Sequence, residues 1–240
     1  MQLEITLSQV QKTPLPYSSS YHLYAAVIAA LTRHSPKTAE NFHNSENQRK
    51  TKLLAISPLN STPHPEPRGD GMIMLGDKIY FRLASPLPEI IYGIGEALLA
   101  AGKITVQDKV FNVVNAAMVN PPMLGKTMTW RVFGQAGGIH TSWNDKTLKK
   151  KIQVYPDSKI KGVPTCEELL ADNLRNKLLR LQELRPDILA SWDDDGFAVK
   201  KMPVSIEILP MNGKTLYGKK MYNVKGTNVL SWRAPVRITA

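Results

Sequence analysis

The sequence is almost free of cysteine and has no long apolar run. Cys166 is the one cysteine among 240 residues, so neither an internal disulfide nor a thiolate zinc site is expected. The five histidines include no HExxH spacing. No stretch reaches the roughly 20 apolar residues of a membrane-spanning helix, and residues 1–10 alternate in polarity, unlike a signal peptide. We therefore expect a cytoplasmic protein with no metal, cofactor or membrane partner.

Acidic residues are outnumbered by basic ones. Lysine and arginine number 31 against 20 aspartates and glutamates, giving a formal charge of +11 and a pI near 9.7. A protein this basic favours phosphate-rich partners or anionic membranes. Hydrophobic residues make up 42% of the chain, which is enough to build packed domains. The composition thus predicts a folded protein that binds a polyanion.

The first 118 residues predict the order β-α-β-β-α-β. Polarity alternation, helical periodicity, a serine N-cap and proline or glycine at element ends carry this prediction. The predicted elements are a strand at 2–8, a helix at 21–34, a strand at 51–59, a loop at 60–71, a hairpin at 72–85 turning at Gly76 and Asp77, a helix at 86–102, and extended structure at 103–119. This order is that of a ferredoxin-like domain.

Residues 119–240 predict a second α+β unit of similar size. A helix is expected at 165–187, where leucines recur on one stripe. The expected strands lie at 128–135, 149–156, 202–211, 215–226 and 228–240. The fold class is therefore α+β, with two tandem ferredoxin-like (RRM-like) domains at 1–118 and 119–240.

His43 stands where a predicted helix ends, before a polar loop that carries Lys50 and Lys52. Cleavage of RNA by internal transfer moves a proton from the ribose 2′-OH and another to the departing 5′ oxygen. Histidine suits both transfers because its unperturbed pKa lies near 6.5. A lysine would stabilise the charge that develops on the phosphate. The alternative from spacing alone is that His43 caps a helix and the lysines solvate a loop.

Two basic clusters in the second half are candidates for phosphate contacts. Lys149, Lys150 and Lys151 open a predicted strand, where cations reach a phosphate backbone without disturbing the core. Arg175 and Lys177 lie off the leucine stripe of the predicted helix. The alternative is an ordinary solvated surface, which is the usual role of a run of three lysines and is equally compatible with the helix residues.

The opening of the sequence resembles the CRISPR-associated repeat-processing endoribonucleases of the RAMP superfamily. The resemblance covers about the first 60 residues, with a "PY" turn, an apolar first helix, a short second helix ending in histidine, and a following strand. A looser similarity involves 165–185. The matching residues are Pro16, Tyr17, Leu23, Pro36, Ala39, Phe42, His43, Lys52, Leu53 and Ser57.

The resemblance implies a metal-independent endoribonuclease that cuts CRISPR repeat RNA and leaves a 2′,3′-cyclic phosphate and a 5′-hydroxyl. His43 matches the catalytic histidine of the family, and Lys52 or Lys50 matches a charge-stabilising lysine. Members often keep the cleaved crRNA and join an interference complex, so its subunits are further expected partners. The C-terminal domain would bind RNA, with Lys149, Lys150, Lys151, Arg175 and Lys177 as candidates.

Two departures from the family favour a second hypothesis. Some members use a tyrosine of the first helix, and Ile28 stands at that position here, so Tyr24 or Tyr21 would have to replace it. Members usually continue into a glycine-rich loop, whereas this sequence ends at Ala240, and lower activity is expected where that loop is missing. The alternative function is therefore a non-catalytic RNA-binding subunit of a CRISPR effector complex. A general RRM module ranks last because no "KGFGFVxF"-like strand is found.

Overall fold

The chain folds into two compact units, Met1–Pro122 and Met123–Ala240. The computed structural model describes residues 1–16, 19–43, 53–69, 71–120, 127–131, 139, 141–145, 147, 149–187, 204–210, 217–224 and 227–239. Within these ranges, no helix is long and apolar enough to cross a membrane.

The first unit contains three helices and nine strands within its described ranges. In chain order they are β1 (Gln2–Gln9), β2 (Leu15–Pro16), α1 (Ser20–His34), α2 (Pro36–His43), β3 (Ala55–Ile56), β4 (Asn60–Thr62), β5 (Glu66–Pro67), β6 (Met72–Met74), β7 (Lys78–Ala84), α3 (Pro88–Ala101), β8 (Lys103–Val106) and β9 (Lys109–Val119).

The main sheet of this unit is antiparallel and has the strand order β3-β7-β1-β9-β8, with β4 also paired to β7. β1 pairs with β7 on one side and β9 on the other. With α1 and α3 between the strands, this is the order of a ferredoxin-like sheet, extended at one edge by β8. The ferredoxin-like arrangement predicted for the first half is confirmed.

Buried and half-buried residues alternate along β1, and the buried ones contribute to the core of this unit. Leu3, Ile5 and Leu7 are each no more than 5% exposed, whereas the residues between them are half-buried. α3 closes the same core and ends as predicted, because Gly102 takes a left-handed conformation with φ 63°. Its backbone N–H donates to the carbonyl oxygens of Leu98 and Leu99.

The prediction of a hairpin at 72–85 is wrong. β6 pairs with β2 and β5 in a separate small sheet, and β7 joins the main sheet. The chain crosses between the sheets at Gly76, whose N–H donates to the buried hydroxyl of Ser61 at 2.7 Å. That hydroxyl donates in turn to the carbonyl oxygen of Pro63. Long-range contacts to the supposed loop therefore override the local turn signal.

Three further expectations for this unit need correction. The loop at 60–71 contains β4 and β5, since short edge strands tolerate proline. The extended run 103–119 is a β8–β9 hairpin that turns at Gln107, where φ is 58°. Ser19 is the N-cap of α1, yet its side chain makes no capping hydrogen bond.

The second unit contains one long helix and seven strands within its described ranges. They are β10 (Thr127–Arg131), β11 (Thr141–Asp145), β12 (Lys150–Val154), α4 (Cys166–Leu184), β13 (Ser205–Ile208), β14 (Gly218–Val224), β15 (Thr227–Arg233) and β16 (Pro235–Thr239). They pair as β10-β16-β13, β11-β12 and β14-β15, all antiparallel. The single strand predicted at 228–240 is two strands, because Ala234 separates β15 from β16.

A buried polar network lies in the core of the second unit. The indole N–H of Trp232 donates to the Thr141 hydroxyl at 3.0 Å, and that hydroxyl also donates to the carbonyl oxygen of Val154. The Cys166 thiol lies 3.2 Å from the same hydroxyl, and burial raises the pKa of the thiol to about 11. Cys166 is therefore a packed thiol that stays protonated at neutral pH.

The close approach at Gly76 gives a test of the corrected topology. A β-carbon on Gly76 would lie 2.6 Å from the carbonyl oxygen of Pro63, so Gly76→Ala should lower the free energy of unfolding by about 1–3 kcal/mol. Urea denaturation followed by circular dichroism measures the loss. Gly69→Ala is the control, since nothing lies within 4 Å of its β-carbon. Equal midpoints for Gly76→Ala and wild type would contradict the structure.

Candidate nucleic-acid site

α2 carries the candidate catalytic histidine at its last residue. The helix follows α1 through Ser35, whose N–H donates to the carbonyl oxygen of Leu31 and whose hydroxyl lies 2.8 Å from that of Thr38. Ala39 is 1% exposed and fixes α2 against the unit. The backbone places His43 one helical turn beyond Ala39, and its side chain lies outside the described residues.

Ser85 fixes the chain just beyond the candidate lysines. The residue is 4% exposed. Its hydroxyl donates to the carbonyl oxygen of Leu53 at 2.6 Å and accepts from the N–H of Leu87 at 3.0 Å. The N-terminal amine of Met1 donates to the carbonyl oxygen of Ser85 at 2.7 Å. One buried serine thus joins the start of α3, the N-terminus and the segment after residue 52.

Both ends of the segment 44–52 are therefore attached to the first unit. α2 ends at residue 43, and two residues after Leu53, β3 pairs with the end of β7. Lys50 and Lys52 themselves lie outside the described residues, so their roles stay predictions.

The two tyrosines of α1 differ from Ile28 in their surroundings. Ile28 is 2% exposed and belongs to the core. Tyr24 is half-buried one turn earlier, and Tyr21 is 38% exposed with its ring edge-on to His22 at 5.7 Å. Of these positions, only Tyr24 and Tyr21 can present a hydroxyl outside the core.

The lysine run of the second unit lies at a hairpin. Lys149 precedes β12 with φ 50°, and Lys150 and Lys151 are exposed at the start of the strand. In register, Lys151 is opposite Asn144 and Lys150 is opposite Asp145. All three predicted contact residues can therefore be reached by a large anionic ligand.

Arg175 and Lys177 occupy different environments on α4. The guanidinium of Arg175 contacts the carboxylate of Asp172 at 2.7 Å and donates to the carbonyl oxygen of Val204 at 3.2 Å. Arg175 thereby joins α4 to the chain that leads into β13. Lys177 is exposed and forms no ion pair with a described residue. Its charge is available to a ligand, whereas that of Arg175 is already engaged.

The sequence reasoning missed an aromatic cluster in the second unit. Tyr155 and Tyr217 lie nearly parallel, with ring centroids 6.3 Å apart, and the ammonium of Lys219 lies near both rings. No sequence spacing connects residues so far apart along the chain. Within the described ranges, no three His, Cys, Asp or Glu side chains cluster closely enough to hold a metal ion.

Residues 14–117 match the family described as CRISPR-associated protein Cas6, N-terminal. No curated protein matches the chain. Among solved structures, an RAMP protein described as binding different RNA substrates is 18% identical, with a TM-score of 0.71 over 100% of this chain and 88% of that chain.

Two further structures carry the Cas6 name. A Cas6-related protein from Pyrococcus furiosus is 18% identical, with a TM-score of 0.70 over 100% of this chain and 86% of that one. A Cas6 product complex is 15% identical, with a TM-score of 0.58 over 99% of this chain and 84% of that one.

The family match and the structural neighbours agree with each other. The chain has the α+β fold of the RAMP proteins, which confirms the predicted fold class. The match of residues 14–117 to the Cas6 N-terminal family confirms the resemblance found in the sequence.

The Ser85 contacts lead to a stability prediction. Ser85→Ala removes the partner of the buried N–H of Leu87 and of the part-buried carbonyl oxygen of Leu53, so the free energy of unfolding should fall by about 1–3 kcal/mol. Urea denaturation measures this loss, and Ser205→Ala, at an exposed position of β13, is the control. An unchanged midpoint for Ser85→Ala would show that the serine does not hold the segment at Leu53.

Proposed function

We propose that this chain binds CRISPR repeat RNA in the cytoplasm and cleaves it as a metal-independent endoribonuclease. The observation that carries the proposal is the match of residues 14–117 to the Cas6 N-terminal family, because the matched range contains α2 and His43. The likeness to an RAMP protein described as binding RNA and to a Cas6 product complex supports it. The net charge of +11 suits a polyanionic substrate.

In the proposed reaction, the ribose 2′ oxygen forms a bond to phosphorus as the bond to the 5′ oxygen breaks. His43 removes the 2′ proton or supplies one to the 5′ oxygen, and Lys52 or Lys50 stabilises the added negative charge. Tyr24 is the candidate for the remaining proton transfer. The products are a 2′,3′-cyclic phosphate and a 5′-hydroxyl, and no step requires a cofactor.

RNA binding by the second unit is the other half of the proposal. Lys149, Lys150, Lys151 and Lys177 are exposed cations that can neutralise phosphates. Arg175 contributes by holding α4 in place, through its hydrogen bond to the carbonyl oxygen of Val204. After cleavage these contacts persist, since they do not involve the broken bond, and the product stays bound.

A second candidate function is a non-catalytic RNA-binding subunit of a CRISPR complex. The observation that favours it is Ile28, which fills the core where some family members use a tyrosine. In this case the chain binds repeat RNA through the same lysines, and other subunits of the complex are its partners.

Cleavage in EDTA separates the two candidates. Purified protein should cut a labelled repeat RNA in the presence of EDTA, and should not cut the same RNA with a 2′-deoxy residue at the cut site, because the nucleophile is then missing. His43→Ala should abolish cleavage and leave RNA affinity unchanged.

The control for this test is His34→Ala, which removes an exposed histidine at the end of α1. It should cut like wild type. Binding without cleavage by the wild type would favour the non-catalytic subunit, and cutting of the deoxy substrate would contradict the proposed chemistry.

The basic residues of the second unit should separate into two groups. Lys150→Gln, Lys151→Gln and Lys177→Gln should each weaken RNA binding and reduce the slope of log affinity against log salt by about 0.7 per lost phosphate contact. Arg175→Gln should instead lower the urea midpoint, because Val204 loses its hydrogen-bond donor. Fluorescence anisotropy over a salt series and urea denaturation measure the two effects.

Lys12→Gln is a charge-matched control in the first unit, where Lys12 pairs with Asp77. Its salt slope should equal that of wild type. If Lys150→Gln, Lys151→Gln and Lys177→Gln all keep the wild-type slope, β12 and α4 do not contact the RNA.

A further inference from the structure

Tyr155, Tyr217 and Lys219 form an aromatic and cationic cluster on the second unit. Tyr155 directly follows β12, and Tyr217 directly precedes β14. The two ring planes differ by 12°, and their centroids are 6.3 Å apart. The Lys219 ammonium lies 4.9 Å from the Tyr155 centroid and 5.4 Å from the Tyr217 centroid. The rings thus form a paired aromatic surface with one cation close to both.

A tight turn holds the two rings in place. The N–H of Tyr155 donates to the Ser158 hydroxyl at 2.9 Å, and the N–H of Ser158 donates to the carbonyl oxygen of Tyr155 at 2.9 Å. Asp157, inside that turn, accepts a hydrogen bond of 2.6 Å from the Tyr217 hydroxyl. Burial, with this bond to Asp157, raises the pKa of Tyr217, so the hydroxyl remains a donor. The pair is therefore preorganised before any ligand arrives.

The core supports the rings from one side and leaves the other accessible. Both tyrosines pack against the buried cluster that contains Val154 and Trp232. Neither ring is fully buried, and Lys219 is exposed. The four-carbon stem of a lysine turns easily about its rotatable bonds. The ammonium can therefore leave the rings without a change in the backbone.

The charge of Lys219 is not neutralised. No carboxylate among the described residues pairs with it, and Lys159 and Lys161 are exposed just beyond Asp157. The first unit provides a comparison, since Arg82 lies 5.8 Å from the Tyr80 centroid but also pairs with Glu4 at 3.0 Å. Of these cation–ring contacts between described residues, those of Lys219 are the ones whose cation is available to a phosphate.

These features fit an unpaired nucleobase and its phosphate. Base stacking on aromatic side chains tolerates any sequence, and lysine supplies the phosphate contact. A base within a duplex already has both faces covered, so the cluster favours single-stranded RNA. We propose that Tyr155 and Tyr217 form a stacking platform for an unpaired base of the bound RNA, with Lys219 turning from the rings to the adjoining phosphate.

This inference rests on the proposed RNA-binding function, and the test separates the two. Wild type, Tyr155→Leu and Tyr217→Leu are compared for affinity to a short oligouridylate and to inorganic polyphosphate, which has charge but no bases. Each leucine variant should bind the RNA about tenfold more weakly and bind polyphosphate like wild type. Tyr155→Phe should retain RNA affinity, because the ring remains.

The matched control is Tyr92→Leu, a tyrosine that is 52% exposed on α3 of the first unit. Its RNA affinity should equal that of wild type. Folded leucine variants with wild-type RNA affinity would overturn the platform while leaving the proposed function intact. No RNA binding by wild type would overturn both.

Photocrosslinking keeps the proposal testable if the leucine variants unfold. Wild-type protein is irradiated with an oligouridylate that carries 5-iodouridine, and the crosslinked peptides are mapped. The proposal predicts crosslinks to Tyr155 or Tyr217 that an excess of unlabelled single-stranded RNA removes. Crosslinks confined to other residues would overturn it.

Discussion

The first unit depends on the alternation of β1 between its two neighbouring strands. Because β1 pairs with β7 and β9 at once, its inward residues Leu3, Ile5 and Leu7 lie in the core of the unit, and a shift of one residue would expose all three. The same sheet determines where β3 lies, and β3 together with Ser85 determines where the chain resumes at Leu53. The point at which the chain resumes after residue 52 is thus a consequence of the register of one strand.

The basic side chains divide into those that hold the structure and those that can bind a ligand. Arg175 links α4 to Val204, and Arg82 and Arg237 pair with Glu4 and Glu207. Lysines at β12, at the turn after Tyr155 and at β14 remain exposed. The net charge alone does not make this distinction. It follows from which cations have a carboxylate or carbonyl oxygen within reach.

Sequence patterns predicted the elements well wherever the signal was local. The strand at β1 and the ends of α3 at Pro88 and Gly102 follow from periodicity or from the residues at element ends, whereas α2 ending at His43 was expected from the family resemblance. The hairpin at 72–85 failed because Gly76 contacts Ser61 and Pro63, which no local pattern reveals. The Tyr155 and Tyr217 pair was missed for the same reason, since only the fold brings the two residues together.

The burial of Ile28 limits how the proposed reaction can be completed. A tyrosine at a position that is 2% exposed would carry its hydroxyl into an apolar core, where an unpaired hydroxyl is costly. This chain avoids that cost with isoleucine. The second proton transfer then needs Tyr24 or Tyr21, or His43 must perform both transfers in sequence. A histidine that takes the 2′ proton carries the proton that the 5′ oxygen requires, so one imidazole can complete the reaction provided that it reaches both oxygens.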